Sequence, residues 1–260
     1  MNKRFSYLLQ IQYLGFRYSG WQKQPGQRTV ESMLQKTLKF IQPQNRFKII
    51  GAGRTDAKVS ALQGAFQLFT EQEPIQDLTG FTKLFNENLP PDIKILSIRE
   101  VDPSFNIIQH KKTKEYLYLF SFGTKNHPFS APFMANLQED LDIEAMKKAA
   151  KIFQGTHNFK NFTARRQLNT KVIRAIDYCE ISENTDFTAS FFPPKSYVLT
   201  VRGEGFMRYQ IRMIMGALIL LGKGEITLET IKKALQESGT TLIPYVAPGS
   251  GLLLNSIEFK

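Results

Sequence analysis

Cysteine is almost missing: Cys179 stands alone among 260 residues, which excludes an internal disulfide framework. Histidine is nearly as scarce. His110, His127 and His157 lie far apart, and no cysteine, histidine and carboxylate spacing matches a metal-ligand pattern, so Cys179 and the histidines read as structural or surface residues and no metal is expected. No apolar run approaches the ~20 residues that span a bilayer. The start Met1-Asn2-Lys3-Arg4-Phe5 leads into an alternating segment instead of a signal-peptide core. The expectation is a soluble, cytoplasmic protein with no membrane association. Solenoid repeats, coiled-coil heptads, low-complexity tracts and a credible phosphate-binding loop are also lacking. Acidic residues are in deficit: 23 Asp and Glu against 34 Lys and Arg give a formal charge of +11 and a pI near 9.6. Such a surface favours a polyanion, either nucleic acid or an anionic membrane. A membrane surface would call for a strongly basic amphipathic helix with exposed aromatics, and none is evident.

What is present suffices for a sizeable core, since 42% of residues are hydrophobic and 12% aromatic. Phe5, Tyr7, Leu9, Ile11 and Tyr13 alternate with polar residues as in a strand with one buried face, Leu8 being the exception. Thr29 is placed to cap a helix carrying Val30, Leu34, Leu38 and Ile41, ended by Pro43. Strands follow at 47–50 and 65–69, a helix at 76–87 and a strand at 93–101. The first half therefore reads β-α-β-β-α-β. The second half repeats the order: a Tyr- and Phe-rich strand at 113–122, a helix capped by Asp142, strands at 172–181 and 197–202, a helix at 206–221 with Met207, Ile211, Ile214, Leu218 and Leu221 on one face, a short helix at 227–236 and a strand at 252–259. The fold class expected is α+β, as two ferredoxin-like halves, residues 1–105 and 106–260, with antiparallel sheets.

Between the strands at 47–50 and 65–69 lies Gly51-Ala52-Gly53-Arg54-Thr55-Asp56-Ala57-Lys58-Val59-Ser60-Ala61. Gly51 and Gly53 are suited to hold a tight excursion that aims the Asp56 carboxylate. On local chemistry alone, an Asp in such a turn caps its own backbone and a nearby Arg is a solvated partner. The segment Gly53-Arg54-Thr55-Asp56-Ala57, however, resembles the catalytic loop of the TruA-type tRNA pseudouridine synthases. Further landmarks of that family are matched in order by Tyr13-Leu14-Gly15, Gly20-Trp21-Gln22-Lys23-Gln24, Asn88-Leu89-Pro90-Pro91-Asp92-Ile93, Lys114-Glu115-Tyr116-Leu117-Tyr118, Asn158-Phe159, Phe206 with Ile211-Arg212 and Gly216, and Gly251-Leu252.

The resemblance implies two α+β halves meeting around a central catalytic cleft, a homodimer, and isomerisation of uridine to pseudouridine in the tRNA anticodon stem-loop, at tRNA positions 38 to 40. That reaction breaks the bond from ribose C1′ to N1, turns the base, and joins C1′ to C5; it exchanges no electrons and needs no cofactor. It does need a nucleophile or charge stabiliser, a clamp on the base and exclusion of water. Asp56 would supply the carboxylate, with attack at C1′, attack at C6 and assistance of a glycal all open. Arg54 would favour its ionised form from a few ångströms away. Tyr116 would stack on the extruded uracil, although alternating Tyr116, Tyr118, Phe120 and Phe122 also describe a core strand. Arg212 would face the site, pairing with Asp56 or a phosphate, and Leu252 would wall the base; a solvated arginine and a core leucine are the plainer readings.

Basic residues cluster around Lys111-Lys112-Lys114, Lys160 with Arg165-Arg166, Lys171 with Arg174, and Arg202, Arg208 and Arg212. The run from Phe159 to Arg166 interleaves aromatics with cations, as an RNA-facing loop would, so Lys114, Phe159 and Arg165 join the expected substrate-binding set. The pattern departs from the family at three places. Leu14 stands where an Asp is usual, and Asp56 is followed by Ala57-Lys58-Val59-Ser60 where bacterial members read Ala-Gly-Val-His. A left-handed conformation at that Gly would cost Lys58 ~1 kcal/mol. These changes bear on which nucleotide is chosen. The competing reading is a catalytically silent RNA-binding module of the same fold.

Overall fold

Alternation does make a strand of Phe5–Tyr13 (β1), but it buries more than one face: Ser6 and Leu8 are buried as well as Tyr7 and Leu9. The cause lies in Gln67. Its side-chain amide donates to Ser6 Oγ (2.7 Å) and to the Phe105 carbonyl (2.9 Å), while its oxygen accepts from Ile107 N–H (3.1 Å). The segment around Phe105–Ile107 thus covers the second face. A buried amide with both ends satisfied lets polar Ser6 and Gln67 sit inside without an unpaired group. The computed structural model describes residues 4–71, 73–164, 170–236 and 243–260. It divides into two compact units, one of residues 1–111 with 254–260 and one of residues 112–253.

In the first unit the chain runs from β1 through Val30–Ile41 (α1), Phe47–Gly51 (β2), Ser60–Thr70 (β3), Leu78–Asn88 (α2) and Ile93–Glu100 (β4). β1 pairs antiparallel with both β3 and β4, and β2 pairs antiparallel with β3, giving the order β4-β1-β3-β2. Thr29 and Ser32 cap α1 reciprocally, each side chain accepting the other's N–H. α1 buries Val30, Leu34 and Leu38, and α2 buries Phe81 and Phe85. β3 begins at Ser60, earlier than the expected Ala65, so the loop bearing Asp56 is only eight residues long, 52–59.

The second unit contains Lys112–Phe122 (β5), Ala135–Leu137 (β6), Ile143–Ala150 (α3), Gly155–Asn158 (β7), Ile173–Ile176 (β8), Tyr178–Glu183 (β9), Tyr197–Gly203 (β10), Gln210–Gly222 (α4) and Leu228–Ala234 (α5). β5, β10 and β9 form consecutive antiparallel partners, β6 lies parallel to β5, and β7 pairs with β8. The last strand, Leu252–Phe259 (β11), starts in this unit and belongs to the first from Leu254 onward. The α+β class is as expected, with β6 and β7 added to the sequence-based element order. The single strand expected over 172–181 is divided because Asp177 turns its N–H to the Arg202 carbonyl (2.8 Å).

α4 also differs from expectation. It starts at Gln210 instead of Phe206, because Tyr209 takes a left-handed conformation (φ 62°) within the turn closed by Gln210 N–H on the Met207 carbonyl (3.1 Å). Its burial runs all round instead of along one stripe; Arg212 and Leu221 are its two residues that are not fully buried. Among the described residues no helix is long and apolar enough to cross a membrane.

Candidate active site

The loop at 52–59 is held by the segment that follows β1. Trp21 N–H donates to the Thr55 carbonyl (3.1 Å), and Lys58 N–H donates to the Tyr18 carbonyl (3.1 Å). Beneath them the Tyr13 hydroxyl meets Thr55 Oγ1 at 2.8 Å in the interior, and Gly15 N–H donates to Ser60 Oγ (2.9 Å). Burial pushes the Tyr13 phenol well above its usual range, so it stays a neutral hydrogen-bonding strut. Gly20 and Trp21 are fixed in turn by α1, whose first N–H groups, on Val30 and Glu31, bind the Gly20 and Trp21 carbonyls (3.1 and 3.0 Å). The loop is therefore tied through two backbone bonds to a capped helix.

Gly20 has to be glycine. Its φ is +96°, and a Cβ there would sit 2.7 Å from the Thr55 carbonyl oxygen and 3.1 Å from the Asp56 carbonyl carbon. Neither Gly51 nor Gly53, on which the sequence placed the loop's unusual backbone, has a positive φ. Gly51 serves by lacking a side chain, because the Trp21 indole occupies the space 2.6 Å from where a Cβ would be. The left-handed residue of the loop is Lys58 (φ 66°).

An ion network that sequence reasoning missed braces the holding segment. Asp92 accepts from the Tyr18 hydroxyl (2.6 Å) and from Arg17 Nε and Nη2 (3.0 and 2.8 Å), and its carbonyl accepts Leu14 N–H (3.0 Å). Burial alone would raise this carboxyl, but the Tyr18 hydroxyl and the Arg17 guanidinium outweigh it and hold Asp92 below the usual carboxylate range. Arg28 lies over the Tyr18 ring at 5.2 Å. The Asn88-to-Ile93 landmark pointed to the region without revealing this task, since neither Arg17 nor Tyr18 is near Asp92 in sequence.

Asp56 is half-buried, whereas Arg54 is exposed and makes no hydrogen bond or ion pair among the described residues. The expected Arg54–Asp56 pair is thus not formed here. Nearness in sequence does not bring the two together: Asp56 is half-buried while the Arg54 side chain lies on the exposed side of the loop.

In the second unit Tyr116 lies on β5 opposite Val201, buried, with its ring edge-on to Phe206 (5.4 Å, 87°). Tyr118 is wholly buried and donates to the Pro248 carbonyl (2.8 Å), which makes it a core residue as expected. Arg212 is pinned from two sides: Nε donates to the Ala247 carbonyl (2.7 Å), and the guanidinium lies 4.9 Å from the Tyr209 ring, where Arg208 also lies at 5.1 Å. The left-handed turn at Tyr209 is what presents that ring to both arginines. Leu252 is buried at the start of β11.

Lys112, Lys114 and Tyr116 alternate along β5 and so share a face. Burial, reinforced by the charge of Lys112, pushes the Lys114 ammonium down to about 8. Phe159 does not fit the expected RNA-facing role. It is fully buried, its ring edge-on to His157 and Phe162, because spacing of three within a tight turn directs Phe159 and Phe162 into the same core. The turn itself is tied to the Arg208 carbonyl by Thr163 Oγ1 (3.0 Å). Arg165 lies outside the described residues.

Comparison with known proteins covers nearly the whole chain. A family model described as tRNA pseudouridine synthase matches residues 10–108 and 149–260. The chain is 30% identical over 250 residues to a tRNA pseudouridine synthase A of Thermodesulfovibrio yellowstonii, covering 96% of this chain and 97% of the relative. Identity to the protein of that name from Streptococcus agalactiae serotype Ia is 32% over 254 residues, covering 98% and 95%. A tRNA pseudouridine synthase A 2 of Bacillus anthracis is 29% identical over 255 residues, covering 98% and 99%.

Proposed function

Because the chain belongs to the tRNA pseudouridine synthase family, we propose that it isomerises uridine to pseudouridine in tRNA, with the anticodon stem-loop as target. The observation that carries this reading is the way the Asp56 loop is held. Backbone bonds from Tyr18 and Trp21, the Tyr13–Thr55 strut and the glycine at 20 fix a half-buried carboxylate on a rigid frame. A group that must meet one atom of a bound nucleoside gains most from such preorganisation.

Asp56 acts as the reactive carboxylate. The N1–C1′ bond breaks, the uracil turns, the C5–C1′ bond forms, N1 takes up a proton and C5 releases one, so atoms and electrons balance without an external reagent. Tyr116 offers a ring for base stacking, typically about 1–3 kcal/mol per base, and Leu252 an apolar surface. Arg212, oriented by Ala247 and Tyr209, serves as a fixed cation for the reacting group or a phosphate. Lys114 and Arg54 bind the RNA backbone, with Arg165 in the same role. Phe159 supports this surface from the core instead of contacting RNA. A cytoplasmic location, in keeping with the lack of an apolar run long enough to span a bilayer, and a homodimer, implied by the family resemblance, complete the reading.

Tritium release from C5-labelled uridine in an unmodified tRNA transcript tests the assignment, with mass spectrometry locating the product. Release with pseudouridine in the anticodon stem-loop is the expected result. Binding without release would make the chain a catalytically silent RNA-binding module.

A further inference from the structure

Lys58 combines three properties that no packing requirement explains. It holds a left-handed backbone (φ 66°), a conformation that disfavours any residue with a Cβ. Its side chain is exposed and forms no ion pair among the described residues, so its charge is not engaged by a carboxylate. Its ammonium nevertheless has a fixed direction, lying 5.4 Å from the Phe16 ring on the short turn Gly15–Arg17. Strained residues persist where the surrounding structure holds them, here through Lys58 N–H on the Tyr18 carbonyl, and they cluster at active sites and ligand clamps.

The position says what Lys58 does. Val59 N–H bonds to the Asp56 carbonyl (3.2 Å), so Asp56 and Lys58 occupy a single turn, and Lys58 N–H is the bond that fastens this turn to Tyr18. A nucleotide approaching Asp56 brings a phosphodiester towards a carboxylate, and the two anions repel. A compact ammonium carried on the same turn as the carboxylate offsets that repulsion and favours phosphate over any neutral group. Arg28 over Tyr18 and the exposed Arg54 extend the positive surface on the same unit.

We propose that Lys58 is a substrate-positioning residue that binds a backbone phosphate adjoining the target uridine, setting where the RNA strand enters the Asp56 loop. This rests on the function proposed above.

The test compares Lys58→Gly and Lys58→Arg with the unaltered protein, using filter binding of a tRNA transcript across a salt series, steady-state kinetics and thermal melting. Glycine relieves the backbone, so Lys58→Gly should melt no lower than the parent. At the same time its salt slope should shrink by roughly 0.7 to 0.9, one phosphate's worth, and its KM should rise about five- to tenfold. Lys58→Arg should restore slope and KM. A Lys58→Gly protein with the parent's slope and KM overturns the proposal, as does a loss of affinity accompanied by a lower melting temperature, which would mark the lysine as structural. Should the parent make no pseudouridine while the slope still changes, the phosphate contact stands and the enzymatic reading fails; an active parent indifferent to Lys58→Gly fails the contact alone.

Discussion

Gly20→Ala is the sharpest perturbation of the frame that aims Asp56. Two costs add. An alanine at φ +96° pays backbone strain of about 1–2 kcal/mol. Its methyl would also lie 2.7 Å from the Thr55 oxygen, so the loop or the Gly20 segment must yield by roughly 0.5 Å, an overpacking cost of about 1–3 kcal/mol. The sum, about 2–5 kcal/mol, corresponds to a melting temperature lower by roughly 5–15 °C for a chain of this size. The displaced atoms are those of Thr55 and Asp56. Because misplacement by about 1 Å costs on the order of a hundredfold, half of it should lower kcat about tenfold at a temperature where the variant is folded. Gly26→Ala is the control, since Gly26 has φ +68° and a Cβ added there would meet no atom within 4 Å. It should show the strain alone, about 1 kcal/mol, and full tritium release. Equal kcat values for Gly20→Ala, Gly26→Ala and the parent would refute the idea that close approach at Gly20 aims the carboxylate.

Asp92→Asn should destabilise the protein by about 1–2 kcal/mol at neutral pH, mostly through the Tyr18 bond, because the Arg17 partner is largely solvated. The native carboxyl is held below its ordinary range, so its contribution is full above about pH 4 and is lost as pH falls through the lowered value; the variant's melting temperature should accordingly fall less steeply than the parent's on acidification. Lys114 has the opposite character. Its native value, about 8, is below the unfolded one, so the unfolded chain binds more protons between about pH 8 and 10.4 and stability rises with pH across that window. RNA affinity should move the other way, weakening as pH rises through about 8 when the charge is lost. Lys114→Arg should abolish that step in filter binding, and an unchanged pH profile in the variant would count against Lys114 as an RNA contact.

The strands and helices were legible where periodicity and capping acted locally, as at Thr29 and in β1. Errors arose where a distant segment intervened. Ser6 and Leu8 are buried because Gln67 fastens the Phe105–Ile107 segment over them, and no pattern within β1 announces that. Tyr209 turns left-handed inside what reads as an unbroken helical stripe. For the candidate site, residue types around Asp56 were visible but their geometry was not. Arg54 and Asp56 are near in sequence yet not joined to each other, while Asp92, Arg17 and Tyr18 are joined across more than seventy positions. Phe159 was misread because aromatic and basic residues alternating along a loop look alike whether the rings face RNA or the core; the spacing to Phe162 was the available clue.

The most direct test is Asp56→Asn, an isosteric change that keeps the loop's backbone bonds and removes the charge. With the protein folded and its tRNA affinity measured in parallel, tritium release should fall to background while binding stays within a few-fold of the parent. An Asp56→Asn protein that binds tRNA and still releases tritium at the parent rate would contradict the account.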